Sequence, residues 1–374
     1  MIKLILLGLL AGALFSSTFI LNEAMSSAGG HWFWSASFRY LFMWLMLTVI
    51  ITMQHGFGRI KALTAVFSEH WIFWCITGSI GFGVFYTGIC YAADHVAGWV
   101  VAATFMFTVV TSLLVLLAFG QRFDKKFIIY ALLVFLGVLL VNVSEGLHAA
   151  EVADIASKAS MTDMLLFGAL PALLAAFCYP IGNQLVWQVS YNTRMQNAER
   201  RKAIASAELQ SLDKQNNVAS SDINITPRNN AIHAAAAMPA QSPLQKLISR
   251  IPAIDTDLLQ NAFNKVWLMT LGSLPFWLIL GVIVHPAAPS SSQLFNTLLV
   301  ALLAGVGATS IFLYARERAE TSSEVAGVDS TQASEVIFAL IGGMLFLNNT
   351  LPSLMGLIGI GLIILGLILF AKDG

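Results

Sequence analysis

Charge is what this chain has least of. Lysine and arginine together number 20 and the acids 20, so only 11% of residues are charged and the formal net charge is zero. Such a balance gives no reason to expect a nucleic acid or an acidic polymer as partner. Cysteine is also scarce: Cys75, Cys90 and Cys178 each fall inside an apolar run without C-x-x-C spacing, which reads as packing rather than metal or redox chemistry. There is no ATP-binding motif, so any transport must draw on a gradient or on the substrate itself. No cofactor, metal or catalytic residue is expected, and the chain does not read as an enzyme.

Apolar residues are what is there instead, at 57% of the chain with a mean hydropathy of +0.76, in runs long enough to cross a bilayer. The reading is an all-α membrane protein of ten transmembrane helices. Helix 1 spans 2–22, where the apolar run is too long for a signal-peptide core. Helices 2 to 5 follow at 34–53, 71–92, 97–119 and 127–143, and helices 6 to 10 at 164–188, 263–284, 294–315, about 328–347 and 351–371.

The two halves repeat. Ala97 to Arg122 and Ala326 to Asn349 both open with Ala-Gly and close on a polar pair, Gln121-Arg122 in one and Asn348-Asn349 in the other. Each follows a Gly-rich helix ending in Tyr-Ala, at Gly81 to Ala92 and Gly305 to Ala315. The first repeat is taken as 1–145, a short extracytoplasmic connection as 146–162 within the polar stretch 144–162, and the second repeat as 163–374. An insertion at 192–260 interrupts the second repeat. Its start, 194–210, has helix-favouring composition; its middle, 212–242, is too polar to bury a core; and 242–257, with Pro243 and Pro252, suits a membrane surface.

Lysine and arginine positions set the orientation. One side receives Lys3, Arg59, Lys61, Arg122, Lys125, Lys126, eight basic residues between Arg194 and Arg250, Arg316, Arg318 and Lys372; the other receives Lys158. Both termini therefore read as cytoplasmic, and matching loops of the two halves carry opposite bias, the signature of inverted repeats. Arg39 and Lys265, at the starts of helices 2 and 7, are left out as residues snorkelling outward, Arg39 toward Glu23.

Ten helices in inverted five-helix halves, FSSTFILN in helix 1, FRYLFMW in helix 2, and the Tyr-Ala and Ala-Gly pairs together resemble the drug/metabolite transporter superfamily, in its putative multidrug resistance efflux transporter branch. The resemblance covers nearly all of the chain outside the insertion. It implies a carrier in a cell membrane, the bacterial inner membrane in particular, acting as an antiporter. One departure stands out: small multidrug resistance relatives carry a proton-linked Glu within helix 1, whereas here the acid is Glu23 at its outer end.

Polar stripes at helical spacing point to the bundle interior. Helix 6 offers Tyr179, Asn183 and Trp187 beside Pro180, whose missing N–H frees a carbonyl. Helix 3 offers Tyr86, helix 1 offers Phe15, Thr18 and Asn22, and helix 9 offers Gln332 and Glu335. Tyr179, Asn183, Trp187, Tyr86, Phe15, Thr18 and Gln332 are the candidate substrate-binding residues. The Thr104, Thr108 and Thr111 stripe of helix 4 reads as packing. Glycines 78, 81 and 83, and 356, 359 and 361, read as helix contacts rather than a nucleotide fingerprint. Glu335 is taken as the one acid inside a span. It costs on the order of 3 kcal/mol to insert there, so it must be protonated or paired. Two readings of it stand side by side, a proton-exchanging switch and a structural partner of Arg316 or Arg318.

Two functions fit: a secondary carrier exporting small organic molecules by alternating access, with the bilayer as its environment and protons as a candidate coupling ion, or a non-transporting scaffold or lipid-handling protein working through its long loop.

Overall fold

The computed structural model describes residues 2–120, 125–152, 161–218, 248, 250–319 and 322–373. Among them every regular element is a helix, and ten are long and apolar enough to cross a membrane. Their bounds are Ile2–Ser27, Trp32–His55, Trp71–Ala92, Gly98–Ala118, Lys126–Leu147, Met161–Ile204, Ala262–Val284, Ser291–Ala315, Gly327–Leu347 and Leu354–Asp373, helices 1 to 10 in order. A multi-pass membrane protein follows, because the only open backbone that survives in hydrocarbon is one that bonds within its own segment.

Three features differ from those read in the sequence. A further helix, Phe57–Glu69, lies between helices 2 and 3, with Ile60 and Leu63 buried. Helix 5 continues to Val152 through the stretch read as a polar connection. The helix that contains helix 6 runs on to Val218, seven residues into the segment read as unstructured. The rest of that segment, 219–242, together with 243–247 and 249 lies outside the described residues. The reason is one of local preference: Ala, Glu, Lys and Gln from 198 to 215 favour helix whether or not they cross lipid.

Where the helices meet, small residues let backbones approach. A Cβ on Gly137 of helix 5 would sit 2.6 Å from the Gly359 carbonyl of helix 10. Gly8, Gly12 and Gly342 face Thr331, Ser334 and Ile20, so helices 1 and 9 run side by side in the same direction. Gly361 is an exception to the helix-contact reading, with nothing within 4 Å of an added Cβ.

The two Gly-rich helices share a distortion. Helix 3 widens to a π-helix over Ser79–Val84, and helix 8 does so over Ala301–Ala308. Their successors are both interrupted: helix 4 breaks between Phe105 and Thr108, and helix 9 tightens to a 3-10 turn at Thr331–Ala333.

Pro180 has the consequence its chemistry dictates. Without an N–H at 180, the Ala176 carbonyl has no helical donor, and the Thr111 hydroxyl of helix 4 donates to it. Thr104 likewise bonds Asn142 of helix 5, whose Nδ2 donates to Oγ1 at 2.8 Å. Thr104 and Thr111 are therefore glue between helices, while the Thr108 hydroxyl is buried without a partner.

Residues Leu185–Asp257 form a compact unit of their own, distinct from the remainder. Within it Asn192 Nδ2 donates to the Ile251 carbonyl at 3.0 Å and Thr193 Oγ1 to the Ile254 carbonyl at 2.9 Å, tying the returning chain to the helix. Trp187 belongs to this unit and stacks on Tyr191 at 5.1 Å.

Candidate substrate site

Helix 2 carries the residue that sequence reasoning misplaced. Arg39 is not in a first turn reaching outward: it lies seven residues past Trp32, about 10 Å along the helix, and only 9% of it is exposed. Its guanidinium carbon stands 4.0 Å from the centroid of the Tyr86 ring and 5.7 Å from that of Tyr40. No carboxylate among the described residues pairs with it, and its Nε has no partner. A desolvated cation–π contact is worth about 2 kcal/mol, which offsets much of the roughly 3 kcal/mol that an arginine costs inside a membrane helix. FRYLFMW already held the clue, since Arg39 beside Tyr40 can meet an aromatic face without surfacing.

Tyr86 is fully buried, and its hydroxyl accepts from Asn22 Nδ2 at 3.1 Å. The Asn22 Oδ1 is buried without a partner. Around them Tyr40 stacks on Phe82 at 4.9 Å and on Trp277 of helix 7 at 5.9 Å. These flat faces hold the Arg39 side chain on one course.

Tyr179 of helix 6 forms a second aromatic group. Phe85 of helix 3 lies 5.1 Å from its ring and Phe105 of helix 4 lies 5.7 Å away. Tyr179 is 37% exposed, with the Phe85 ring of helix 3 and the Phe105 ring of helix 4 against it. Asn183 lies one turn further along the same helix and is likewise exposed.

Glu335 sits in the first turn after the 3-10 break of helix 9, eight residues past Gly327, or about 12 Å along the axis, and is 8% exposed. It has no hydrogen-bond or ion-pair partner among the described residues. Arg318, one of its two expected partners, is instead exposed, with its guanidinium 5.0 Å from the Tyr314 ring centroid; the Arg316 side chain lies outside the described residues. Nor is Glu335 the one acid in a span: Glu23 is 9% exposed and lies inside helix 1.

Glu23 joins three helix ends. Asn348 ends helix 9 in the left-handed conformation, φ 56°, and the Asn349 N–H closes the cap on the Gly343 carbonyl at 3.2 Å. That geometry sends Asn349 Nδ2 to Glu23 Oε1 at 2.8 Å, while the Gly98 N–H at the start of helix 4 donates to Oε2 at 2.7 Å. A Cβ on Gly98 would stand 2.5 Å from the Phe19 carbonyl, so only glycine permits this approach.

The remaining candidates are scattered. Phe15 packs edge-on against Phe312 of helix 8 at 6.4 Å. Thr18 is buried on helix 1, and Gln332 is exposed on the 3-10 turn of helix 9. Trp187 is part of the unit Leu185–Asp257 described above.

Ten apolar helices enclosing buried, unpaired ionisable groups define a membrane protein of the transporter class. A family profile described as "EmrE: Putative multidrug resistance efflux transporter" matches residues 2–373, and the chain belongs to that family. It is 28% identical to the uncharacterized protein YjlA of Bacillus subtilis strain 168, over 98% of this chain and 94% of that one. It is 29% identical to an uncharacterized 42.1 kDa protein of Shouchella clausii, encoded in the 3' region of an intracellular alkaline protease, over 84% of this chain and 65% of that one.

Proposed function

We propose that the protein is a secondary carrier that exports small organic molecules from a bacterial cytoplasm by alternating access. The observation that carries this reading is the pair of buried ionisable side chains Arg39 and Glu335, on helices 2 and 9, neither with an opposite charge beside it among the described residues. A scaffold would have no use for two uncompensated ions at membrane depth, each costing on the order of 3 kcal/mol.

In this reading the halves are inverted repeats, which the paired π-helix stretches of helices 3 and 8 and the paired interruptions of helices 4 and 9 support. Both termini and the 192–260 insertion are cytoplasmic, with the insertion a tether rather than a working part. Tyr179, Asn183 and Tyr86 contribute to the substrate site, and Glu335 exchanges a proton for substrate. The Glu23 junction then lies at the extracytoplasmic end, where it holds helices 1, 4 and 9 together while that side is closed.

The test is reconstitution. Liposomes containing only this protein should show counterflow of labelled compounds from a bacterial metabolite extract, or of ethidium, above the rate of empty liposomes. Absence of movement for every compound overturns the carrier reading.

A further inference from the structure

Toward its C-terminal end, helix 6 has one covered side and one bare side. Asn192 and Thr193 hold the returning chain through the Ile251 and Ile254 carbonyls. Asn197 Nδ2 donates to Asp255 Oδ1 at 3.0 Å, and Arg200 stands 3.9 Å from Oδ2 of the same carboxylate. Trp187, Tyr191, Arg194, Met195, Arg201 and Lys202, by contrast, are all exposed. At about 100° per residue these six fall within one arc roughly 120° wide. Asn192, Thr193, Asn197, Glu199 and Arg200 all fall outside it. The bare face therefore carries two aromatic rings, a methionine and three cations, with no acid among them.

Their order along the axis says what fits. From Met164, where the apolar run of helix 6 begins, Trp187 is about 34 Å along the helix, just past the roughly 30 Å of a hydrocarbon core. Its ring stacks on Tyr191 at 5.1 Å, and such amphipathic rings settle at headgroup level. Arg194 follows less than one turn beyond Tyr191, so its long side chain can reach back to the phosphates. Arg201 and Lys202 stand about 15 Å beyond Tyr191, toward the outer reach of a charged surface's field. An acidic protein segment would answer the cations and leave the rings in water. An anionic phospholipid answers both, with phosphate for the guanidinium and glycerol and upper acyl chain for the rings.

We propose that this face of helix 6 binds anionic phospholipid, with Arg194 on the headgroup phosphate, Trp187 and Tyr191 against the glycerol and upper acyl chain, and Arg201 and Lys202 adding to the attraction. The site requires that the chain spans a membrane and is independent of the carrier reading.

Thermal melting of the purified full chain in detergent tests it, with phosphatidylglycerol or phosphatidylcholine of the same chain length added. Phosphatidylglycerol should raise the melting temperature at least about twice as far, and its advantage should shrink in about 0.5 M salt. The triple variant Arg194→Gln, Arg201→Gln, Lys202→Gln should lose that advantage. An equal loss of charge elsewhere, in Arg59→Gln, Lys61→Gln, Arg250→Gln, should keep it. Should the first triple variant fold poorly, Arg194→Gln alone should lower the advantage by about half. Equal rises with the two lipids overturn the proposal, as does an advantage that survives loss of the three cations or disappears equally in the control triple. The same rise from soluble glycerol phosphate, which carries the anion without a membrane, overturns the lipid as occupant.

Discussion

Glu23 Oε1 accepts a hydrogen bond from Asn349 Nδ2 at 2.8 Å across 326 residues of sequence, and its other oxygen accepts the Gly98 N–H. One carboxylate thus serves the ends of three helices. Glutamine has one acceptor oxygen where glutamate has two, so Glu23→Gln must abandon one of these donors. We expect a loss of about 1–2 kcal/mol, the range for a buried donor left unpaired, read as a lower melting temperature in detergent. A cysteine at Ala97 should also become more reactive to an aqueous thiol reagent; unchanged melting and reactivity would make the junction incidental.

The Thr111 hydroxyl and Pro180 are predicted to be coupled. Thr111→Val strands the Ala176 carbonyl in a low-dielectric interior and should destabilise by roughly 1–2 kcal/mol, with Thr111→Ser close to wild type. Pro180→Ala supplies a helical N–H to the same carbonyl. In the Thr111→Val, Pro180→Ala double variant most of the cost should disappear, a departure from additivity that thermal melting can measure.

Asn183→Leu tests the helix 6 contribution to the site. Because Asn183 is exposed on its helix, expression and melting should hold while counterflow falls severalfold. Tyr179→Phe, which keeps the ring and removes the hydroxyl, should have a smaller effect than Asn183→Leu. Full transport by Asn183→Leu would return this stripe to packing.

Glu335→Gln keeps shape and removes titration. If protons and a cationic substrate compete for this carboxylate, wild-type binding weakens as pH falls, because the protonated form offers no charge to a cation. In the variant, binding should be weaker throughout and independent of pH, and a proton gradient should no longer drive uphill transport. Retention of the wild-type pH profile would remove Glu335 from coupling.

The orientation can be checked with a single cysteine at Asn216 in a cysteine-free background. A membrane-impermeant thiol reagent applied outside intact cells should leave it unlabelled until the cells are opened. Labelling in intact cells would reverse the assignment of sides.

The number and type of the spans were legible in the sequence because lipid leaves few alternatives: a run of about 20 apolar residues can satisfy its backbone only as a helix. The likeness between the two Gly-rich helices is visible in the sequence, and both widen to a π-helix in the structure. Local chemistry carried further inward at Pro180, where a missing N–H announced a free carbonyl, and at Asn348-Asn349, which marked the stop of helix 9.

Arg39 was not legible, and its case shows why. Near a helix start, snorkelling to water and burial against an aromatic face are close in free energy, so the outcome depends on whether a neighbouring helix presents such a face. Tyr86 lies 47 residues downstream, and only packing places it there. Glu335 and Glu23 make the same point in opposite directions. Both are acids in apolar surroundings, and sequence alone cannot say which one meets two donors and which meets none. Hydrophobicity along the chain determined what enters the membrane; contacts between distant helices decided which of the buried charges meet a partner among the described residues and which do not.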